Sequence, residues 1–267
     1  MILAATYNRC GSNIAAQTQA GSSPTLVWLH GFLGESSEWR DFASQLPEFS
    51  HLLVDLPGHG RSAQLSVDGF AAVDAALRAT LAYYDISSYA LIGYSLGGRV
   101  AMYHAAQHPK GLKALLVEGG NPGLKTQAER VSRIENDARW AERFRQQPMP
   151  EVLRAWYQQP VFAELSEPER HRLITLRAAQ NGGPLATMLE STSLGKQPLL
   201  TEQLKTLAIP FVYLCGERDA KFQQLAAESD LPVRTIAGAG HNAHRANPDE
   251  FVAQVRDFFT PTSLTGI

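Results

Sequence analysis

The chain has 267 residues, of which 44% are apolar and 19% charged, and its formal net charge is −2. This size and composition are typical of one globular α/β domain, with or without an insertion. The balanced charge argues against a nucleic-acid or membrane-surface partner, since both usually require a strongly basic face, and favours a small-molecule ligand.

Residues 1–12 lack the basic lead and apolar length of a signal peptide, and no stretch approaches about 18 uninterrupted apolar residues. We therefore expect a cytoplasmic protein with no membrane insertion. Cys10 and Cys215 are the only cysteines and lie far apart in the sequence, so neither a disulfide nor a metal site is expected. We also expect no cofactor and favour a monomer.

Short apolar runs that end near glycine or aspartate alternate with helical patterns, which predicts a mostly parallel sheet flanked by helices. The predicted strands are residues 25–29, 52–55, 89–93, 112–118, 211–215 and 233–236. Apolar residues at helical spacing predict one helix from about Phe70 to Tyr84 and another from about Phe251 to Phe258.

The first predicted strand runs into His30-Gly31-Phe32. A loop at this place in an α/β sheet can donate one backbone N–H to an oxyanion hole, which we assign to Phe32. His30 is expected to shape this loop rather than to react. The second predicted strand leads into a corner rich in glycine and proline, residues 54–62, which we interpret as structural.

The third predicted strand ends in Gly93-Tyr94-Ser95-Leu96-Gly97, where a helical pattern begins. The spacing G-x-S-x-G favours a sharp strand-to-helix turn, because only glycines two residues on either side avoid a clash there. Ser95 is therefore the candidate nucleophile or base, and the amide of Leu96 is the second candidate oxyanion donor.

Arg99 lies one helical turn after Ser95 and has no acidic residue three or four positions away. Exposed arginines on helices often have such a partner. We therefore expect Arg99 to face the pocket that contains the serine.

The alternation of strands and helices stops between residues 121 and 206, which we predict to be a helical insertion between core segments 1–120 and 207–267. Two capping boxes, Thr126-x-x-Glu129 and Ser166-x-x-Glu169, mark helix starts there. The patterns leave open whether Trp156 and Tyr157 line a pocket or pack in the core.

Two arginines of the insertion are candidate ligand contacts. Arg177 lies on a largely apolar helical face, so its charge should meet an anion. Arg133 has Glu129 and Asp137 at i−4 and i+4, so a surface ion pair is an equally weighted alternative for it.

A reactive serine needs a histidine to take its proton and a carboxylate to orient that histidine. Asp219 and His241 each follow one of the last two predicted strands, at the edge where open α/β sheets place their sites. Glu217 is the nearest alternative to Asp219, and His244 is the nearest alternative to His241. The order Ser, Asp, His is that of the α/β-hydrolase triad.

The chain resembles the α/β-hydrolase-fold family over nearly its whole length, with a helical cap inserted between the sixth and seventh strands of that fold. More narrowly, it resembles the synthases of menaquinone biosynthesis that form 2-succinyl-6-hydroxy-2,4-cyclohexadiene-1-carboxylate. The matching segments are 54–60 (VDLPGHG), 67–70 (VDGF), 93–102 (GYSLGGRVAM), 117–124 (VEGGNPGL), 156–163 (WYQQPVFA), 214–222 (LCGERDAKF) and 239–244 (AGHNAH).

The resemblance implies a lyase that removes a ring proton and releases an enolpyruvyl group as pyruvate. The substrate would carry three carboxylates. By resemblance, the substrate-binding residues are Arg99, Arg133, Arg177, Tyr94, Gln127, Trp156 and Tyr157. We expect Ser95, with His241 and Asp219, to act as the base, and leave open whether serine or histidine takes the proton directly.

Two other functions remain open at this stage. A serine hydrolase of esters or carbon–carbon bonds would use the same triad and oxyanion hole. A non-catalytic receptor built on this fold would be expected to have a broken triad, whereas the candidate residues are all present.

Overall fold

The computed structural model describes residues 1–10 and 23–260. In this part of the chain one sheet contains seven strands in the order β1-β3-β2-β4-β5-β6-β7. The strands are β1 (Ala5–Asn8), β2 (Thr25–Leu29), β3 (His51–Val54), β4 (Tyr89–Tyr94), β5 (Leu112–Glu118), β6 (Phe211–Gly216) and β7 (Val233–Ile236). Only β1 runs antiparallel to its neighbour, so the carboxyl ends of the other strands share one edge.

All six predicted strands are confirmed, with ends that differ by at most one residue. Strand β1 was not predicted. It has four residues, pairs only with β3, and is largely half-buried, so it lacks the continuous buried apolar run of strands such as β2.

Apolar side chains cover both faces of the sheet, as expected for parallel strands. Along β2, Val27 and Leu29 pack into one core cluster, whereas Leu26 and Trp28 pack into the other. Both faces are thus closed to water, and the loops at the carboxyl edge are left to form a site.

Helices flank the sheet and fill the long connection between β5 and β6. They are α1 (Arg40–Ser44), α2 (Phe70–Tyr83), α3 (Leu96–Ala105), α4 (Gln127–Gln146), α5 (Met149–Trp156), α6 (Glu167–Arg177), α7 (Gly182–Ser191), α8 (Thr201–Lys205), α9 (Ala220–Glu228), α10 (Ala243–Ala246) and α11 (Pro248–Phe259). The two helices predicted from apolar spacing are α2 and α11, and both are confirmed. None of the helices in the described ranges is long and apolar enough to cross a bilayer.

The connection between β5 and β6 contains helices and no strand. Both predicted capping boxes are formed, at the start of α4 and at the start of α6. Phe144, Val152 and Leu185 belong to a separate apolar cluster, which also includes Leu33 from the loop after β2. We call residues 121–206 the cap, and these limits remain a prediction.

Candidate active site

Ser95 is the single residue between β4 and α3, and its backbone has φ 49° and ψ −108°. A positive φ is strained for a serine. A Cβ atom at Gly97 would lie 2.2 Å from the carbonyl oxygen of Leu29, and one at Gly93 would lie 2.5 Å from that of Gly97. The two glycines therefore let α3 start directly against the sheet, with Ser95 at the corner.

The carboxyl edge brings Ser95, His241 and Asp219 together from the ends of three strands. His241 Nε2 lies 3.4 Å from Ser95 Oγ, and His241 Nδ1 lies 2.9 Å from Asp219 Oδ2. The backbone N–H of Phe222 donates to Asp219 Oδ1 at 3.3 Å, which fixes the carboxylate at the start of α9. This arrangement can take a proton through serine and stabilise the imidazolium that forms.

The two alternatives to the triad residues are engaged elsewhere. Glu217 Oε2 accepts the backbone N–H of Gly238 at 2.8 Å. His244 Nδ1 lies 2.9 and 2.8 Å from the two carboxylate oxygens of Glu118, a buried residue at the end of β5. Neither side chain therefore competes for the place beside Ser95.

Phe32 and Leu96 line the same cavity as Ser95, and Leu96 follows the serine directly in the chain. Within residues 1–10 and 23–260, neither amide has a hydrogen-bond acceptor. Two free N–H groups beside a base are suited to hold negative charge that develops on a substrate oxygen.

Two buried histidines hold the loop that carries Phe32. His59 Nε2 accepts the backbone N–H of Leu33 at 3.1 Å, and His30 Nε2 accepts that of Leu56 at 3.0 Å. Burial lowers the pKa of both imidazoles, that of His59 to about 3, so each is neutral and can act as an acceptor. These contacts support a structural role for His30.

A cavity of about 440 Å³ lies between the cap and the carboxyl edge of the sheet, and Ser95 and His241 open into it. Its walls are rich in positive charge. The cationic residues that line it are Arg99, Arg133, Arg177, Arg218 and Lys221. A cavity of this kind suits a ligand with several negative charges.

Arg99 is buried beside the serine, with 8% of its surface exposed. Its Nε donates to Gln197 Oε1 at 2.7 Å, and its Nη2 donates to the carbonyl oxygen of Thr192. Burial, together with the nearby charge of Arg133, lowers the pKa of Arg99 to about 9. In the described chain no carboxylate forms an ion pair with this guanidinium, so a substrate anion would supply the missing counter-charge.

Arg133 forms the ion pair that its sequence neighbours allowed, and its role as a ligand contact stays a prediction. Its Nε donates to the two carboxylate oxygens of Asp137 at 2.8 and 2.9 Å, which is the i,i+4 ion pair. The same side chain also lines the cavity. An ion pair along the helix therefore holds Arg133 at the site.

Arg177 meets an anion that local sequence did not reveal. Its Nη2 donates to Glu38 Oε1 at 3.1 Å, and its Nη1 donates to the hydroxyl of Tyr157. Burial opposes the charge, but Tyr157 and Glu38 outweigh it and raise the pKa of Arg177. The protein itself thus supplies the counter-charge, while the buried Nε of Arg177 has no hydrogen-bond partner among the residues that the structure describes.

Comparison with known proteins agrees with this geometry. The sequence profile of the α/β hydrolase fold matches residues 24–248. The chain is 52% identical over 236 residues to the 2-succinyl-6-hydroxy-2,4-cyclohexadiene-1-carboxylate synthase of Serratia proteamaculans, covering 88% of this chain and 92% of that one. It is 52% identical over 243 residues to the synthase of the same name from Yersinia pseudotuberculosis, covering 91% and 89%. The chain belongs to this family of synthases.

Solved structures give the same assignment of fold. The structure of MenH from S. aureus superposes with a TM-score of 0.85 at 28% identity, covering 95% of this chain and 97% of that one. A thermophilic esterase from Thermogutta terrifontis superposes with a TM-score of 0.77 at 20% identity, covering 96% and 92%. The esterase shares the fold, which by itself does not separate a synthase from a hydrolase.

The remaining residues assigned from the synthase family do not all reach the cavity. Tyr94 and Trp156 line it. Tyr157 is fully buried among the apolar side chains of the cap and contacts Arg177 instead of the cavity. Its expected place in the lining is therefore corrected to a place behind Arg177.

Gln127 is exposed and is not part of the cavity wall. It is the first residue of α4, six positions before Arg133. Six residues correspond to about 600° of rotation, so the two side chains leave the helix in different directions. In this synthase-family member the structure does not bring Gln127 to the candidate site.

Sequence reasoning missed several residues that the structure places at or behind the site. Gly119 has φ 58°, and a Cβ atom there would lie 2.8 Å from the His241 ring, so glycine makes room for the histidine. Gln197 and Glu38 hold two of the arginines, and no local pattern pointed to them. The sequence did contain a signal for Lys221, because this residue follows the candidate catalytic residue Asp219 by two positions.

Proposed function

We propose that this synthase-family enzyme eliminates pyruvate from 2-succinyl-5-enolpyruvyl-6-hydroxy-3-cyclohexene-1-carboxylate. The product is 2-succinyl-6-hydroxy-2,4-cyclohexadiene-1-carboxylate, an intermediate of menaquinone biosynthesis. The observation that carries this proposal is a triad serine that opens into a cavity lined by Arg99, Arg133 and Arg177. The enzyme is then a carbon–oxygen lyase, and its ligand is a small tricarboxylate.

The substrate and product names define the electron flow. A proton leaves ring carbon 2, next to the succinyl carbonyl. The electron pair of the broken C–H bond forms a double bond between carbons 2 and 3, and the pair of the original double bond moves from carbons 3 and 4 to carbons 4 and 5. The bond from carbon 5 to the enolpyruvyl oxygen breaks, and its electron pair leaves with that oxygen. The leaving group is the enolate of pyruvate, which takes a proton to give pyruvate. No water is added to the substrate.

The triad and the two free amides have distinct roles in this reaction. Ser95 Oγ takes the ring proton as His241 takes the serine proton, and Asp219 holds the imidazolium. The amides of Phe32 and Leu96 hold the carbonyl oxygen as it becomes an enolate. General-base assistance contributes about 100-fold to 10,000-fold to such rates.

The arginines position the substrate and select it. A hydrogen bond to a charged group contributes about 1.5 to 3 kcal/mol, so contacts to three carboxylates distinguish this substrate from a neutral ester. A hydrolase of esters or carbon–carbon bonds, the alternative, would use the same triad and amides but gains nothing from the arginines. A cytoplasmic location and a monomeric state stay predictions.

Pyruvate release tests this function. Purified protein is given freshly prepared precursor, and pyruvate is followed with a coupled lactate dehydrogenase assay. We expect saturable pyruvate release, with little turnover of p-nitrophenyl esters under the same conditions. Ester turnover without pyruvate release would replace the synthase proposal with the hydrolase alternative.

A further inference from the structure

Lys221 is a cation of the cavity wall that belongs to the core and not to the cap. It is the second residue of α9, next to the catalytic carboxylate of Asp219. Within the described ranges its ammonium group has no ion pair. The nearest ring is that of Phe222, whose centroid lies 5.8 Å from Nζ.

Arg133 is the cation of the cap that acts on Lys221. Partial burial and the positive charge of Arg133 lower the pKa of Lys221, and together they outweigh the carboxylate of Asp219, which acts in the opposite direction. Only the Nε of Arg133 is occupied, by Asp137. Among residues 1–10 and 23–260, neither terminal nitrogen of Arg133 has an acceptor. A positively charged side chain of the cap and one of the core thus both line the cavity, and both have N–H donors without an acceptor among the described residues.

Arg99 adds to this repulsion, since the charge of Arg133 also lowers its pKa. Arg99, Arg133 and Lys221 line the same cavity, and in the part of the chain that the structure describes Asp137 is the only carboxylate that forms an ion pair with any of them. Like charges that remain unpaired at a site are relieved when an anion binds between them.

We propose that Lys221 and Arg133 hold one and the same carboxylate of the substrate, Lys221 from the core and Arg133 from the cap. This inference rests on the proposed function and adds a binding residue to it. A carboxylate has about four acceptor positions, so it can take donors from both side chains at once. The bound substrate then joins the cap to the core through this carboxylate.

A double-mutant cycle tests the shared carboxylate. All variants are made in an Asp137→Asn background, so that removing Arg133 leaves no buried carboxylate unpaired. We expect Lys221→Met and Arg133→Met each to raise KM for the precursor roughly tenfold, with kcat changed less than about twofold. The double variant should raise KM by much less than the product of the two single effects, because the second change removes a contact to a carboxylate that is already loosened.

Two further variants serve as controls. Lys221→Arg should keep KM within about threefold, since it keeps the charge. Lys110→Met removes the charge of an exposed lysine near the opposite edge of the sheet and should leave KM unchanged. Thermal unfolding of each variant reports whether the fold is intact.

Calorimetric titration of precursor into Ser95→Ala protein measures binding without turnover. We expect Lys221→Met to weaken this binding about tenfold. The proposal of a shared carboxylate would be overturned if Lys221→Met left KM and binding unchanged, or if the effects of the two single variants on KM simply multiplied in the double variant. Either result would leave the proposed function intact as long as the unmodified enzyme releases pyruvate. Absence of that release would instead overturn the proposed function.

Discussion

Ser95 combines a strained backbone with a hydroxyl that, among the described residues, makes one hydrogen bond, to His241. The strained conformation of Ser95 is maintained because the residues on either side of it are fixed. Strand β4 pairs with β2 and β5, and Gly93 and Gly97 pack closely against backbone atoms. A side chain presented in this way is preorganised to exchange a proton.

Replacing Ser95 by alanine should separate its chemical role from its structural one. We expect kcat for pyruvate release to fall about 100-fold to 10,000-fold, the range typical of a lost general base. The circular dichroism spectrum and the urea midpoint should change little. Near-normal elimination by Ser95→Ala would exclude Ser95 as the base and leave His241 as the group that takes the proton directly.

At the scale of elements, Glu38 ties the cap to the core. Its carboxylate accepts from Arg177 at the end of α6 and from Arg245 in α10, at 3.1 and 2.9 Å. Although burial opposes the charge, the two guanidinium groups lower the pKa of Glu38 to about 2. One residue of the loop before α1 thus holds a cap arginine and a residue just after His241.

Glu38→Gln should expose this coupling. The change leaves two guanidinium groups without their shared carboxylate, and breaking a buried ion pair costs about 3 to 5 kcal/mol. We expect a loss of that order in the free energy of unfolding in urea, and a higher KM because Arg177 keeps only its contact with Tyr157.

Glu228→Gln is the matched control for Glu38→Gln. It removes a carboxylate from the exposed ion pair with Lys125 and should leave the free energy of unfolding almost unchanged, because solvent screens such pairs. Equal effects of the two substitutions would mean that Glu38 does not link the cap to the core.

At the scale of the whole molecule, buried neutral histidines set how stability depends on pH. Burial lowers the pKa of His30, His51 and His59 in the folded state. Below pH 6.5 the unfolded chain binds protons at these side chains that the folded chain does not bind. Stability is therefore full above pH 6.5 and falls as the pH drops toward 3, the pKa of His59.

Urea unfolding between pH 7.5 and 4 should show this loss as a falling midpoint. Each unit of difference between the folded and unfolded pKa corresponds to about 1.4 kcal/mol. Glu38 adds a further loss only below its ordinary pKa of 4.5, because its folded pKa is about 2. His59→Gln keeps an acceptor for Leu33 and should flatten the curve between pH 6.5 and 4. A curve of unchanged steepness would show that His59 is not the group responsible.

The sequence by itself determined the six strands from β2 to β7, the helical character of the cap, and Ser95, Asp219 and His241 as one constellation. These features depend on short-range rules: apolar period, capping boxes, and glycine at a turn that tolerates no side chain. Parallel strands then bring their carboxyl ends to one edge, so residues after different strands could be placed together without coordinates.

Only the tertiary structure decided the partners of the charged groups. Glu38 lies 139 positions before Arg177, and Gln197 lies 98 positions after Arg99, so no local pattern pairs them. Packing also left Gln127 outside the cavity and brought Lys221 into its wall. The physical reason is that periodicity fixes which face of an element is buried, whereas the docking of cap against core fixes which charges meet.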